Sequence, residues 1–440
     1  MAELTYDDLR NAVAGDTVAI RATSRLEPVG GPNDKVFPPT FGDEMQIPQA
    51  LDGPRELPRT RTKYALEWRR VDGRSRLCVL LDSVASQANR LEEALLEAWN
   101  AKRLRFPMVR VDFTGQTHED PALDLSTLGG DGYLTALEVP HRLADALLRD
   151  SLLDGTPFRA SEPGRRFTEA TPANATSLYA LCPSALVFGL WDSTGPKGGL
   201  GAKFQRALVS EITGVGVELG VKSASRIDPT GIEKTEIYEA KDPEEGWTAD
   251  PDAAKKSGGK PVLLKRKGDK AGSPSVINHG NVTPSVDPRA GGVTLDYGEH
   301  VSVLSLPALR RLRFPTDVSG KRLDADAQGE AEVAARTALA ALGLAALAEQ
   351  RKRGYDLRSR CAFRPLAPLS FEIVPGDGTD PSTATLSVAG AGQLLAQAAE
   401  AAANAGMAWN TDPIDLVPAE KLVALIRHSR ALTKEEGEEQ

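Results

Sequence analysis

The sequence predicts an α+β fold interrupted by long insertions, and three observations predict it. Strand-like and helix-like segments alternate irregularly, unlike the strict succession of a doubly wound sheet. Two stretches, about 28–75 and 228–292, carry little apolar periodicity and read as insertions. With 440 residues and 41% hydrophobic content, the chain can bury a substantial core as a globular protein. No internal repeat is evident.

The elements follow in order. "DTVAIRATSRLE" (16–27) has the partly alternating, β-rich look of a strand and includes Arg21 and Arg25. The next stretch, "PVGGPNDKVFPPTFGDEMQIPQALDGPRELPRTR", holds Lys35 and seven prolines, so it reads as an extended loop rather than a regular element. "RLCVLLDS" (76–83) reads as a buried strand leading into a helix from about Val84 to Ala101. Val84, Ala88, Leu91, Leu95 and Ala98 form its core stripe. "GYLTALEVP" (132–140) predicts a strand, "HRLADALLRDS" a short helix, and "SALVFGLW" (184–191) an apolar strand. A helix is predicted over about 202–213, and "GVGVELGVKSAS" after it continues as a strand. Residues 228–292 form an excursion built on a hairpin. "GVTLDYGEHVSVLSLPALRRLRF" then returns to strand and helix. An alanine-rich helix (327–352), a strand near 369–374 and helices near 389–406 and 417–430 close the chain, with a disordered acidic tail expected over 433–440.

A net charge of −8 argues against a generic polyanion binder. The total conceals local patches, however: residues 255–270 carry seven basic side chains against one Asp. Cys78, Cys182 and Cys361 are widely spaced and read as reduced, buried thiols suited to a cytoplasm. The N-terminus is too polar for a signal peptide. The most apolar run, 334–348, is too short to span a bilayer, so no membrane partner is expected.

Two polar segments invite a ligand. The first is "WDSTGPKGGLGAKFQRALVSEITG" (191–214). It fits neither GxxxxGK[ST] nor GxGxxG, because Phe204 stands where the third glycine of the latter belongs. What remains is general: Gly198, Gly199 and Gly201 allow close backbone approach to an anion, and Lys197, Lys203 and Arg206 add charge ahead of a predicted helix start. Phe204 is a candidate for stacking on a base. A glycine-rich turn with solvated lysines is the simpler reading. The second segment opens the helix at Val84. Ser86 and Arg90 are four residues apart on a face away from the core stripe, flanked by Gln87 and Asn89. Such side chains can serve phosphate or sugar oxygens, although helix capping by Ser83 or Ser86 explains them as well. Taken together, the two segments predict helix starts that converge on one trough for a sugar-phosphate chain. Enzyme templates find little support: the five histidines show no ligand spacing and no GxSxG elbow occurs.

"YDDLRNAVAGDTVAIRATSRLEPVGGPNDKVFPPTF", "CVLLDSVASQANRLEEAL", "LWDSTGPKGGLGAKFQRALVSEITG" and "VLSLPALRRLRF" together resemble the backbone subunit of the type I-G (formerly I-U) CRISPR surveillance complex, a branch of the RAMP superfamily. The resemblance covers roughly Tyr6 to Arg430. It implies a single α+β domain over 1–440: a ferredoxin-like, RRM-related palm enlarged by finger- and thumb-like insertions. It further implies a non-catalytic scaffold without cofactor or metal, polymerised head to tail along a CRISPR guide RNA that pairs with target DNA. The large and guide-processing subunits of the Cascade complex would be its other partners. "SQANR" (86–90) matches the position of an RNA-contacting polar cluster at the superfamily's first helix, and the loop at 195–203 would be a second contact. A thumb would come from 274–286 or from the basic patch. The expected guide groove comprises Arg21, Arg25, Lys35, Ser86, Gln87, Asn89, Arg90, Lys197, Gly198, Gly199, Gly201, Lys203, Phe204 and Arg206, with Arg165 and Arg166 as further candidates. Two rival readings are a type III-like ribonuclease using an aspartate and a protein-only structural oligomer.

Overall fold

A computed structural model describes residues 2–46, 61–195, 201, 203–232, 235–266 and 268–438. Its centre is a nine-stranded antiparallel sheet, curled into a half-barrel in a mixed α+β protein. The strands are β1 (Ala19–Pro28), β2 (Leu66–Val71), β3 (Arg74–Asp82), β4 (Leu208–Val215), β5 (Tyr297–Ser305), β6 (Tyr355–Arg358), β7 (Cys361–Pro365), β8 (Ser370–Val374) and β9 (Ser382–Thr385). Seven of them lie in the order β6-β7-β1-β5-β4-β3-β2. The edge of β1 away from β5 is shared: its Ala19–Arg21 end pairs with β8, and its Leu26–Pro28 end with β7.

One face of this sheet is covered by helices. These include α1 (Tyr6–Ala14), α2 (Val84–Asn100), α3 (Ala325–Arg353) and α4 (Val388–Asn404). The sequence reading leaves α1 unassigned, although Thr5 and Asp8 form a reciprocal capping box at its start. Ser83 caps α2 by accepting from the Ser86 N–H, and Asp324 caps α3 in the same way from Ala327. Helix α3 packs against α1, α2 and α4, and every residue from Ala334 to Gln350 is buried. Its many alanines let several neighbours approach closely, which explains why the longest apolar run belongs to a core helix.

The expected pattern needs four corrections. The described part of the helix expected over 202–213 is not helical: Lys203–Phe204 is a short strand and Leu208–Val215 is β4. Residues 184–191 are mainly helix (Pro183–Phe188) rather than strand. Within the proline-rich loop, Thr40–Gln46 is a strand paired with Arg61–Tyr64. Finally, β2 lies inside the stretch read as an insertion yet forms the edge of the main sheet. An Asp72-Gly73 turn joins β2 to β3 with both residues at positive φ, as a two-residue hairpin of this twist requires.

The excursion after β4 is carried on an exposed two-stranded ribbon, Lys222–Arg226 with Val282–Asp287. A small lobe sits beyond it. Asp228 closes the lobe's base by accepting from the Thr230 hydroxyl and from the Gly280 and Thr230 backbone N–H groups, which hold its carboxyl far below the usual range. The last helix, α5, spans Glu420–Glu438 and so includes acidic-tail residues through Glu438.

A buried histidine supplies a pH test of this fold. His300 on β5 is 4% exposed, with Nε2 at 2.7 Å from Ser210 Oγ and Nδ1 at 3.2 Å from the Tyr355 hydroxyl. Burial, and then the charge of Arg351, push it down to about 3. The unfolded chain therefore binds the extra proton first. The stability held above about pH 6.5 should fall as pH drops, at up to about 1.4 kcal/mol per unit. Urea denaturation at pH 7.5 and 5.5 checks this: His300→Gln should flatten the difference, and an equal pH dependence in both proteins would refute the assignment.

Candidate nucleic-acid interface

Alternation along β1 sorts its side chains. Ile20, Ala22 and Leu26 enter the covered face, while Arg21, Thr23 and Arg25 point to the open one. The register sets Arg21 opposite Val303 and Arg25 opposite Glu299 on β5, with Val209, Glu211 and Thr213 of β4 beyond them. The hairpin adds two arginines. Arg69 reaches Glu211 (2.8 Å), Thr213 (3.0 Å) and Glu67 (2.6 Å), and Arg76 reaches Asp296 (2.8 Å). Arg21 pairs with Glu372 (2.6 Å), while Arg25 lies 4.0 Å from Asp72 and 4.4 Å above the Tyr297 ring. These guanidinium groups are roughly half exposed. Exposed pairs of this kind contribute only about 0–1 kcal/mol each. A phosphate can therefore displace a carboxylate from such an arginine at small cost, and the geometry suits a polyanion lying across the strands.

The polar cluster opening α2 is organised differently. Its focus is Asp82, which is 0% exposed. Asp82 accepts from Ser86 Oγ (2.7 Å), Gln87 Nε2 (2.5 Å) and Arg90 Nε (2.9 Å), and Arg358 stands 3.7 Å away. Arg90 also donates to the carbonyls of Asp356 and Leu357. Gln87 is 0% exposed, and its Oε1 accepts from Ser210 and Gln350. Gln87 is therefore an internal strut and does not meet a ligand, which corrects the expectation. Ser86 and Arg90 share a side, as the spacing predicts, but they turn inward because a buried carboxylate without donors is far costlier than a solvated arginine. Asn89 is exposed, on a groove of about 520 Å³ whose rim includes Glu93, Glu97, Glu138 and Arg353. That rim is mainly acidic.

The glycine-rich segment starts from a well-anchored base. Arg159 makes two bonds to Asp192 (2.8 and 2.9 Å), and both side chains are largely buried. Arg142 donates to the Gly189 carbonyl and makes two bonds to Glu92 of α2 (2.6 and 2.7 Å). Burial pushes Glu92 up to about 7, with Arg142 and then Arg206 pulling the other way. Arg206 is exposed and donates to the Phe188 carbonyl (3.2 Å). Lys197, Gly198 and Gly199 lie outside the described residues, and Gly201 is partly exposed. Phe204 is 4% exposed and cannot stack on a ligand, so that expectation is corrected. Its strand partner is Leu190; one step along, exposed Lys203 pairs with Trp191, which is 54% exposed.

The two polar segments do not form the predicted pair of helix starts. The glycine-rich one leads into a strand, and the segments adjoin α2 on different flanks. Successive helical residues turn by about 100°, so Arg90, aimed at Asp82, and Glu92, near Arg206, project from opposite flanks. Lys35 is engaged elsewhere: its Nζ donates to the Val221 carbonyl (2.6 Å) at the foot of the ribbon. Arg165 donates to the Ala160 carbonyl (2.5 Å) and Arg166 to the Val318 carbonyl (3.0 Å), away from the open sheet face. Among the predicted residues that the structure describes, Arg21 and Arg25 are the ones on that face. Sequence reasoning missed Arg69, Arg76 and Trp191, although "WRRVDGRSR" carries an Asp-Gly hairpin signal between arginine-rich runs.

Residues 20–219 match the family model described as CRISPR-associated protein GSU0053. The match supports a CRISPR-associated protein with a role in CRISPR defence. No curated protein matches the chain.

The Asp82 cluster makes its own prediction. Asp82→Ala leaves Arg90, Arg358 and Gln87 without their shared acceptor and should lower stability by about 3–5 kcal/mol. A urea-denaturation loss below about 1 kcal/mol would show that the cluster does not brace α2.

Proposed function

We propose that the chain is a non-catalytic RNA-binding backbone subunit of a type I-G CRISPR surveillance (Cascade) complex. In this reading, copies stack head to tail along a guide RNA in the cytoplasm and present it for pairing with target DNA. The large and guide-processing subunits complete the particle. The observation that carries the reading is the open arginine face. Its strands β1, β2, β3 and β4 lie in the CRISPR-associated match at 20–219, save Ala19 at the start of β1. Weakly paired guanidinium groups on an exposed sheet suit sequence-independent recognition of a sugar-phosphate chain.

The strand order gives further support. The run β8-β1-β5-β4, with α2 preceding β4 and α3 following β5, is compatible with the βαββαβ order that this reading expects of its palm. The ribbon at 222–226 and 282–287, with its lobe, suits a thumb. Charge segregation reconciles this function with the net charge of −8: one arginine-bearing face is sufficient, and the remaining acidic surface is available to neighbouring subunits.

The test is RNA binding as a function of salt. Purified protein should retain guide-length RNA, and its log affinity should fall linearly with log salt. Arg21→Ala with Arg25→Ala, and separately Lys197→Ala with Lys203→Ala, should weaken binding. Each double variant should also flatten the slope by about 0.7 for every phosphate it no longer neutralises. Unchanged affinity and slope in both would overturn the groove. Regular cleavage of complementary RNA by the assembled complex would overturn the non-catalytic assignment.

A further inference from the structure

The register of one short strand pair places an aromatic ring at the protein surface. Leu190 pairs with Phe204 and Trp191 with Lys203. Because successive side chains in a strand face opposite ways, the first pair is buried, at 6% and 4%, and the second is outside. Trp191 is 54% exposed, and Lys203 Nζ lies 5.5 Å from its ring centroid. An exposed tryptophan taken alone needs no explanation. This one stands on a rigid footing. The residue after it, Asp192, is 2% exposed and held by two hydrogen bonds from Arg159, and the residues before it are tied by Arg142 at Gly189 and Arg206 at Phe188. Gly189 itself adopts φ +86°, and an added Cβ would meet Arg206 Cγ at 2.9 Å. The backbone on both sides of the ring is thus fixed before any ligand arrives.

We propose that Trp191 and Lys203 form a stacking site for one unpaired nucleobase, with the indole as platform and the ammonium group positioned for the adjoining phosphate. This inference rests on the RNA-binding reading above and adds to it a residue and a second mode of recognition. The chemistry distinguishes the site from the arginine face. Stacking on an aromatic ring uses the π-face that every base possesses, so it tolerates sequence and depends weakly on salt. Phosphate binding releases counterions and depends on salt steeply. Preorganisation matters here because a ring held by a braced turn loses little freedom on binding.

Filter binding of single-stranded RNA, with full-length protein, separates the contributions. Trp191→Ala should reduce affinity about tenfold at every salt concentration without changing the salt slope, whereas Trp191→Phe should recover most of the loss. Lys203→Ala should instead flatten the slope. The same assay with abasic RNA closes a thermodynamic cycle: wild type should bind it about tenfold more weakly than ordinary RNA, and Trp191→Ala should lose nothing further. Because the side chain is exposed, thermal melting should show that the alanine variant folds normally. If wild type binds RNA and Trp191→Ala binds equally well, or weakens by the same factor again on abasic RNA, the stacking site is refuted while the RNA-binding reading stands. If wild type binds no RNA, the underlying reading fails as well.

Discussion

The architecture depends on a carboxylate with no access to water. Asp82, at the end of β3, gathers Ser86, Gln87 and Arg90 from α2 and has Arg358 from the end of β6 beside it. Gln87 passes the connection to Ser210 on β4, and Ser210 passes it to His300 and Ser302 on β5. This polar layer lies on the covered face of the sheet, between two apolar clusters. Ile20, Leu208 and Leu304 belong to the larger cluster under the helices; Leu26, Leu81 and Ile212 belong to the smaller one. An apolar cluster alone would let α2 slide over the sheet. A buried charge with several directional partners admits one register, since any shift strands a donor or the carboxylate itself.

That constraint separates the roles of the two faces. On the covered face, polar groups are committed to one another, and the first turn of α2 serves the fold. On the open face, Arg21, Arg25, Arg69 and Arg76 stay near solvent in pairs weak enough to exchange. The antiparallel sheet makes this division possible, because alternate residues of one strand supply both the core and the surface. The insertions then attach without disturbing it: the ribbon leaves after β4 and returns before β5, and Lys35 secures its foot to the loop after β1.

Long, strongly patterned elements are legible in the sequence. The stripe Val84–Ala98 marks α2, the alanine run marks α3, and the alternating residues of 16–27 mark β1. Segments whose apolar residues satisfy two periods at once are not. "ALVSEIT" suits a helix as readily as a strand, and its pairing with β5 decides for the strand. The hairpin of β2 and β3 is obscured because proline-rich sequence runs close to it. Phe204 and Trp191 show the same limit at the scale of one side chain: both are aromatic and both border the glycine-rich segment, and the cross-strand register alone determines which is buried.

By itself, the sequence determined an α+β chain with a helical core, a strand bearing Arg21 and Arg25, and polar groups gathered near residues 86–90 and 195–206, because composition and local periodicity act over a few residues. The tertiary structure decided which of those polar groups are accessible. Asp82 lies four and eight residues from Ser86 and Arg90 but acquires its meaning from burial beside α2 and Arg358 of β6. Whether a serine, glutamine or arginine faces a ligand or a buried charge depends on what the rest of the chain packs against it, and a carboxylate removed from water outcompetes solvent for its donors.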